Sequence, residues 1–414
     1  MSEERRSSDS MSTGSNRKPI WGLHPNVFFL GLVSLLTDIS SEMIFTLIPL
    51  FLSNVLGAAT TIVGLVGGIS DSSDSLLRIF AGWLSDRIGK PKLLAVLGYS
   101  FSTLAKPFMY IAGNWGTVAG VRFGDRVGKG MRSAPRDALV ADSVTAEQRG
   151  RGFGLHRAMD TAGAVIGLAI AAVVIYTVQG GSIELGLASY RWLVIIGVIP
   201  AVLGVLVLSF FVQERAKKQP VKSDSGVPQT ATTPFSLRFK VFLAIMAVFT
   251  LGNSSDFFVI LRAQDLDVPL IGVVLMLVVF NIVYAVSSLP MGILSDRLGR
   301  RRVLAVGWFI YAAVYLGFAM ATFIWQAWFL FAIYGIYYGM VEGAARAFVA
   351  DLVPAERRGT AYGLYHGVVG FALLPASLIA GWLWDAFNPA APFYFGAGLA
   401  LLAMLGILIF IKEK

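Results

Sequence analysis

Apolar residues in this chain collect into long, unbroken runs. Stretches of about 20 residues, each able to cross roughly 30 Å of hydrocarbon at 1.5 Å per residue, recur along almost the whole length. Twelve such spans are read, at residues 27–52, 61–84, 92–112, 117–141, 154–177, 190–212, 239–261, 270–294, 303–322, 326–350, 361–384 and 393–411. A transmembrane barrel would instead show alternating segments of ~10 residues. Runs such as Trp192 to Val212 leave the helix as the spanning structure, so the pattern predicts an all-α membrane protein.

The polar connections between spans alternate in charge. Lys and Arg cluster in every second one: Arg87, Lys90 and Lys92; Arg149 and Arg151; Arg215, Lys217, Lys218 and Lys222; Arg297, Arg300, Arg301 and Arg302; Arg357 and Arg358. The intervening segments Asn54 to Thr60, Gly113 to Gly116 and Ala321 to Trp325 contain neither. The basic connections are therefore expected in the cytoplasm, with both termini on that side and the chain multi-pass in the cytoplasmic (inner) membrane. Residues 1–26 read as a disordered cytoplasmic tail, because Met1 to Ile20 is rich in Ser, Arg and Lys and lacks the apolar core of a secretory signal.

Composition agrees with this picture: of 414 residues, 56% are hydrophobic and 14% charged, which excludes an ordinary soluble domain. The net charge of +9 lies where anionic headgroups favour it, so no nucleic-acid partner is needed to explain it. With no cysteine, neither disulfides nor thiolate metal sites are available.

Laid on itself, the chain repeats. Gly82-Trp83-Leu84-Ser85-Asp86-Arg87-Ile88-Gly89-Lys90 returns 210 residues later as Gly292-Ile293-Leu294-Ser295-Asp296-Arg297-Leu298-Gly299-Arg300. At an offset of 209, Ala141-Asp142 pairs with Ala350-Asp351, Arg149-Gly150 with Arg358-Gly359, and Gly154-Leu155 with Gly363-Leu364. Ser40-Ser41-Glu42 has a weaker echo in Ser254-Ser255-Asp256. The order of these matches divides the chain into six-helix bundles at 27–212 and 239–411, joined by a polar cytoplasmic linker at 213–238.

The repeated turn resembles the signature of the major facilitator superfamily, a Gly-x-x-x-Asp-Arg-x-Gly-basic turn between the second and third helices. Gly82, Asp86, Arg87, Gly89 and Lys90 match it, and Gly292, Asp296, Arg297, Gly299 and Arg300 repeat it. The fourth span is similar to the family pattern through Arg122, Gly128 and Gly130, with Arg126 where the family usually has Gly. The resemblance implies twelve helices in two bundles and alternating access around a central cavity. It also implies that Asp86, Arg87, Asp296 and Arg297, with the glycines Gly82, Gly89, Gly292 and Gly299, form a conformational latch.

Charges inside the spans indicate which helices face protein or water, since each costs ~2.5–3.5 kcal/mol at a helix centre unless paired or solvated. The cores of the sixth, ninth and twelfth spans carry none, and that of the third has only Lys106, expected to snorkel. By contrast the first has Asp38 and Glu42, the second Asp71, Asp74 and Arg78, and the fourth Arg122, Asp125, Arg126 and Lys129. Asp256, Glu342 and Arg346 lie in the second half, and Asp160 near the inner end of the fifth span. At 100° per residue the fourth-span set falls within about 100° and the second-span set within about 60°, one polar stripe each.

Asp38 and Glu42 sit one turn apart, about 17 Å from the inner end of the first span at the helical rise. Two carboxylates near the midplane do not both ionise cheaply, so Asp38, Glu42, Asp71 and Asp74 are proton-coupling candidates, with protons as coupling ion. The bland reading is a permanent polar core in which these acids neutralise Arg122, Arg126 or Lys129. Substrate-cavity candidates are Arg122, Asp125, Arg126, Lys129, Glu342 and Arg346, with Asn253, Asp256, Asn281, Tyr284, Tyr334 and Tyr338 in the second half. Rings with polar tips suit an amphiphilic organic solute.

His24, His156 and His366 form no convincing metal motif, and neither a Walker-type loop nor a nucleophile with a base is found, so no cofactor and no enzymatic activity are expected. The sequence reading is a monomeric secondary transporter of a small organic solute in a lipid bilayer, by proton antiport and efflux. Uptake or uniport of an organic anion on Arg122 and Arg126 is the alternative, and a non-transporting receptor or scaffold a remote one.

Overall fold

A computed structural model describes residues 20, 23–88, 91–145, 148–213, 235–354 and 357–411, with the side chains of 78–88, 149 and 150 excepted. Among the described residues the secondary structure is helical, apart from an isolated β-bridge between Ile20 and Leu23. In the first half, α1 (Pro25–Phe45) continues through Thr46 and Leu47 into α2 (Ile48–Leu50) and a π-helical turn, Phe51–Val55. Then come α3 (Thr60–Ile88), α4 (Pro91–Ala105) with a 3₁₀ extension Lys106–Ile111, α5 (Trp115–Asp142), α6 (Arg149–Gln179) and α7 (Leu187–Phe211). The second half holds α8 (Leu237–Gly252), α9 (Phe257–Asp265), α10 (Leu270–Leu298), α11 (Arg300–Met320), α12 (Ile324–Leu352), α13 (Arg358–Ala386) and α14 (Ala391–Phe410). The linker expected at 213–238 lies mostly outside the described residues, as does the tail.

Among the described residues nine helical spans are long and apolar enough to cross a bilayer by length and composition. The α3, α4 and α5 segments are not among them, for separate reasons. The first and last carry the charged stripes, while α4 ends after 15 residues where Lys106 and Pro107 tighten it into the 3₁₀ turn. Outward stripes of exposed apolar residues follow helical spacing: Leu93, Leu97, Phe101 and Leu104 on α4, Ile195, Ile199, Leu203, Leu206 and Phe210 on α7, and Leu402, Leu405 and Ile409 on α14. Such surfaces suit lipid.

One expected helix is broken. The seventh span stops at Gly252 and restarts at Phe257, leaving Asn253 to Asp256 between the two helices. Backbone groups freed there find partners: Gly252 O accepts from the Tyr311 hydroxyl at 3.0 Å, and Ser255 N donates to Ser377 Oγ at 3.1 Å. Irregular backbone at membrane depth is tolerated where it is satisfied in this way or lines a cavity.

Within the first half α1 packs on α6 and α7, and α5 on α3 and α4; in the second, α10 and α11 pack on α12, and α14 on α8 and α11. The halves meet where α3 lies against α13 and α6 against α10. The α3–α13 seam is close because glycines line it. A Cβ on Gly68 would lie 3.1 Å from Leu374 Cα, one on Gly381 2.6 Å from Thr61 Cα, and one on Gly64 would overlap the Ser377 carbonyl. At the end away from the repeated turns, here the far end, Asp385 of α13 caps α3. Its carboxylate accepts from Thr60 N at 3.1 Å, Thr61 N at 2.7 Å and Thr61 Oγ1 at 2.6 Å. Leu270 N to Ser182 O, 3.3 Å, and Gln264 Nε2 to Ile183 O, 3.2 Å, add two more bonds between halves there.

Candidate functional site

The stripes on α1, α3 and α5 converge on a central cavity of about 280 Å³, whose lining includes Asp38, Glu42, Asp71, Arg122, Asp125, Arg126 and Lys129. Ser255, Asp256, Phe280 and Asn281 face them from the second half. Much of the charge is paired. Asp125 is buried, accepts from the Ser102 hydroxyl and faces Arg122 at 3.8 Å, while the Arg122 guanidinium lies 4.7 Å from the centre of the Phe45 ring. Arg126 donates to Ser70 Oγ at 2.9 Å and approaches Asp74 at 4.0 Å. Lys129 lies within electrostatic reach of both Asp38 and Glu42.

Lys106 does not snorkel. It is fully buried and donates to Ser40 Oγ at 2.7 Å and Ser41 Oγ at 3.1 Å on α1. Those hydroxyls, with Asp125 nearby, offer a polar site closer than either membrane surface.

Asp38 and Glu42 share a face, but each has its own partner. Thr46 Oγ1 donates to Glu42 at 2.5 Å. Asp38 instead faces Asp160 of α6, close enough for the two carboxyl groups to share a proton. Asp160 also accepts from Ser34 Oγ at 2.6 Å and from Arg157 Nη1 at 3.2 Å. Arg157 then crosses to the second half, where Nη2 donates to the Tyr284 hydroxyl at 2.8 Å; Tyr284 donates to Glu342, and Glu342 pairs with Arg346. A cavity of about 390 Å³ on the turn side of the central one is bordered by Asp38, Arg132, Arg136, Arg157, Asp160 and Glu342.

The break between α8 and α9 carries Asp256, whose carboxylate accepts from Tyr334 Oη at 2.7 Å and Tyr338 Oη at 2.9 Å. Asp71 of α3 meets the Ser255 hydroxyl across the interface. Both acids also line a third cavity, about 340 Å³, with Asp74, Asn253, Tyr338, Glu342 and Arg346. The α12 tyrosines are layered: Tyr334 is buried behind Asp256, while Tyr338 reaches the cavity and packs edge-on to Phe280 at 5.3 Å. Asn281 lines the central cavity but spends its amide on Leu277 O of its own helix, 2.9 Å away.

Of the latch residues, Gly89 lies outside the described residues, and Gly82, Asp86 and Arg87 lie where side chains are not described. In the second half Gly299 takes φ 91° between α10 and α11, a conformation glycine alone adopts freely. Here Arg300 reaches Asp351 at 2.5 Å, Asp296 at 3.5 Å and Ala347 O at 2.9 Å. These bonds tie α11 to α10 and α12 within one half; Gly292 borders open space and Arg297 lines the same pocket as Arg300, with Arg238 and Arg301.

Comparison with known proteins places the chain in a family. The family model described as Major Facilitator Superfamily matches residues 30–274 and 241–414. The chain belongs to the major facilitator superfamily. A Methanocaldococcus jannaschii protein named an MFS-type transporter is 37% identical over 398 residues, covering 94% of this chain and 95% of that one. Multidrug resistance protein MdtH of Photorhabdus laumondii is 34% identical over 151 residues, 34% of this chain and 35% of its own. Among solved structures, the nucleoside transporter NupG superposes with TM-score 0.72 at 13% identity over 94% of this chain and all (100%) of NupG. A bacterial homologue of the lysosomal transporter Spinster gives 0.68 at 14% identity over 93% of this chain and 94% of that one. The chain is therefore a multi-pass transporter of this superfamily, a family of carriers of small molecules and not of enzymes.

Sequence reasoning missed Arg157, Ser255 and the inward turn of Lys106. Arg157 had a local signal, Asp160 three residues on along the same helix face, but its partner Tyr284 is 127 residues away. Among the described residues no three acidic or imidazole side chains converge in a metal-binding group.

Proposed function

We propose that this transporter moves a small organic solute out of the cell across the cytoplasmic membrane, in exchange for protons, by alternating access between its two bundles. The carrying observation is the Asp38–Asp160 carboxyl pair, linked through Arg157 and Tyr284 to Glu342 of the other half. A proton gained or lost at that pair alters the charge that Arg157 sees, and Arg157 is held by both bundles. The local likeness to a protein named for multidrug resistance supports efflux. On this reading the turn end is cytoplasmic, the described conformation is closed to the outside, residues 27–212 and 239–411 are the moving units, and one chain suffices.

Proteoliposomes with an imposed pH gradient test it. Cargo-driven proton flux is expected in the native protein and is expected to vanish when Asp38→Asn and Glu42→Gln are combined. Undiminished flux in that double variant overturns the coupling assignment.

A further inference from the structure

The two cavities at the bundle interface are lined by seven carboxylates, Asp38, Glu42, Asp71, Asp74, Asp125, Asp256 and Glu342, against five cations, Arg122, Arg126, Lys129, Arg132 and Arg346. The pairing on the page accounts for most of them. Asp125 faces Arg122, Asp74 faces Arg126, Glu342 faces Arg346, and Lys129 lies near Asp38 and Glu42. Two acids remain.

Asp71 and Asp256 stand on opposite halves, within electrostatic reach of each other, and each borders both cavities. Their hydrogen bonds are with hydroxyls: Ser255 for Asp71, Tyr334 and Tyr338 for Asp256. Two guanidinium groups lie within electrostatic reach of Asp71 and each is engaged elsewhere, Arg126 by Ser70 and Asp74 and Arg122 by Asp125. Around the two acids lie the rings of Phe257, Phe280 and Tyr338. Asn253 Oδ1, at the wall of the same cavity, is buried without a donor. Facing carboxylates, a spare amide oxygen and aromatic rings make a surface that lacks one thing, a positive charge with apolar substituents.

We infer that the solute is an organic cation, an amine or quaternary ammonium type, seated between Asp71 and Asp256 with its apolar groups on Phe257, Phe280 and Tyr338. The inference rests on the transporter reading above and names its cargo. One consequence is structural: the cation bridges the two halves, so occupancy draws α3 and the α8–α9 break together. The basic residues of α5 then serve to neutralise neighbouring acids and do not recruit an anion.

Equilibrium binding to the purified full chain tests it, with tetraphenylphosphonium and benzyltrimethylammonium as cation probes and tetraphenylborate as an anion of the same shape as the first. Binding of at least one cation, weakened about tenfold or more by Asp256→Asn and by Asp71→Asn, with tetraphenylborate excluded, is the expected result. Thermal melting of each variant separates a lost site from a lost fold; Tyr338→Phe, which keeps the ring and deletes one hydrogen bond, serves as a milder second probe. Preference for tetraphenylborate, no binding of either cation, or cation binding indifferent to both aspartates overturns the inference. Failure of the two readings is distinguishable. Cation binding that depends on Asp256 in proteoliposomes that carry nothing removes the transport reading alone. Proton exchange with an anionic or neutral solute, with no cation bound, removes this one alone.

Discussion

Arg157 Nη2 lies 2.8 Å from the Tyr284 hydroxyl, so a charged hydrogen bond joins α6 of one half to α10 of the other. It is the middle of a chain that begins at Asp38 and ends at Arg346, and its two ends lie in different bundles. A hydrogen bond to a charged group contributes about 1.5–3 kcal/mol when both partners are kept from water, less where one is exposed as Arg157 is.

Removing that bond should therefore loosen the described conformation. The absence of cysteine from the chain makes a single Leu374→Cys in the α3–α13 seam an unambiguous reporter for an impermeant maleimide. Because the bond lies on the turn side, its loss eases opening there and keeps the far end shut, so labelling is expected to be slow in the native background and slower by about threefold or more with Arg157→Gln or Tyr284→Phe, a shift of roughly 0.7 kcal/mol. Equal rates in all three would show that the bond holds nothing between the halves.

Asp385 acts at the opposite end. Asp385→Asn removes the charge at the α3 N-terminus and Asp385→Ala the whole cap, with about 0.5–2 kcal/mol at stake for the latter. The same reporter should label faster in the order native, Asn, Ala, while the melting temperature changes little because the site is exposed. A fall in labelling with Asp385→Ala would contradict the capping role.

The seam predicts a graded series. Gly64→Val and Gly381→Val place carbon into backbone and are expected to prevent far-end closure, abolishing exchange even where the protein still melts cooperatively. Gly68→Ala meets Leu374 at 3.1 Å and should cost less. Gly154→Ala, where a Cβ meets nothing within 4 Å, should exchange solute as the native protein does. Closure in Gly64→Val, read as unchanged Leu374→Cys labelling, would refute the close approach.

Lys106 carries a stability prediction. Lys106→Met deletes a cation near Asp125 and the donor to two hydroxyls, so a loss of about 1–3 kcal/mol is expected, read as a drop in melting temperature. Adding Asp125→Asn should recover part of it, since the two act on one charge balance. A double variant no better than the single would place Asp125 outside that balance.

Most span boundaries were legible because each depends on a local property, the hydropathy of about 20 consecutive residues. The charged stripes were legible for the same reason, since angular position follows from spacing along one helix. The break after Gly252 was hidden in an otherwise apolar window, although Gly252-Asn253-Ser254-Ser255-Asp256 is a run of residues that favour turns. What could not be read was pairing across the chain. Lys106 turns inward because Ser40 and Ser41 are there, 66 and 65 residues away, and no pattern around Lys106 reports them.

The broken seventh span has a mechanical consequence. Asn253 to Asp256 lie between two helices, and Ser255 N is fastened to Ser377 of α13. Asp385 lies eight residues further along that helix, about 12 Å away at the helical rise. A load applied at Asp256 is thus delivered through a stiff rod to the last turn of α13, and the pivot in the middle of the molecule and the clasp at its edge are two points on one lever.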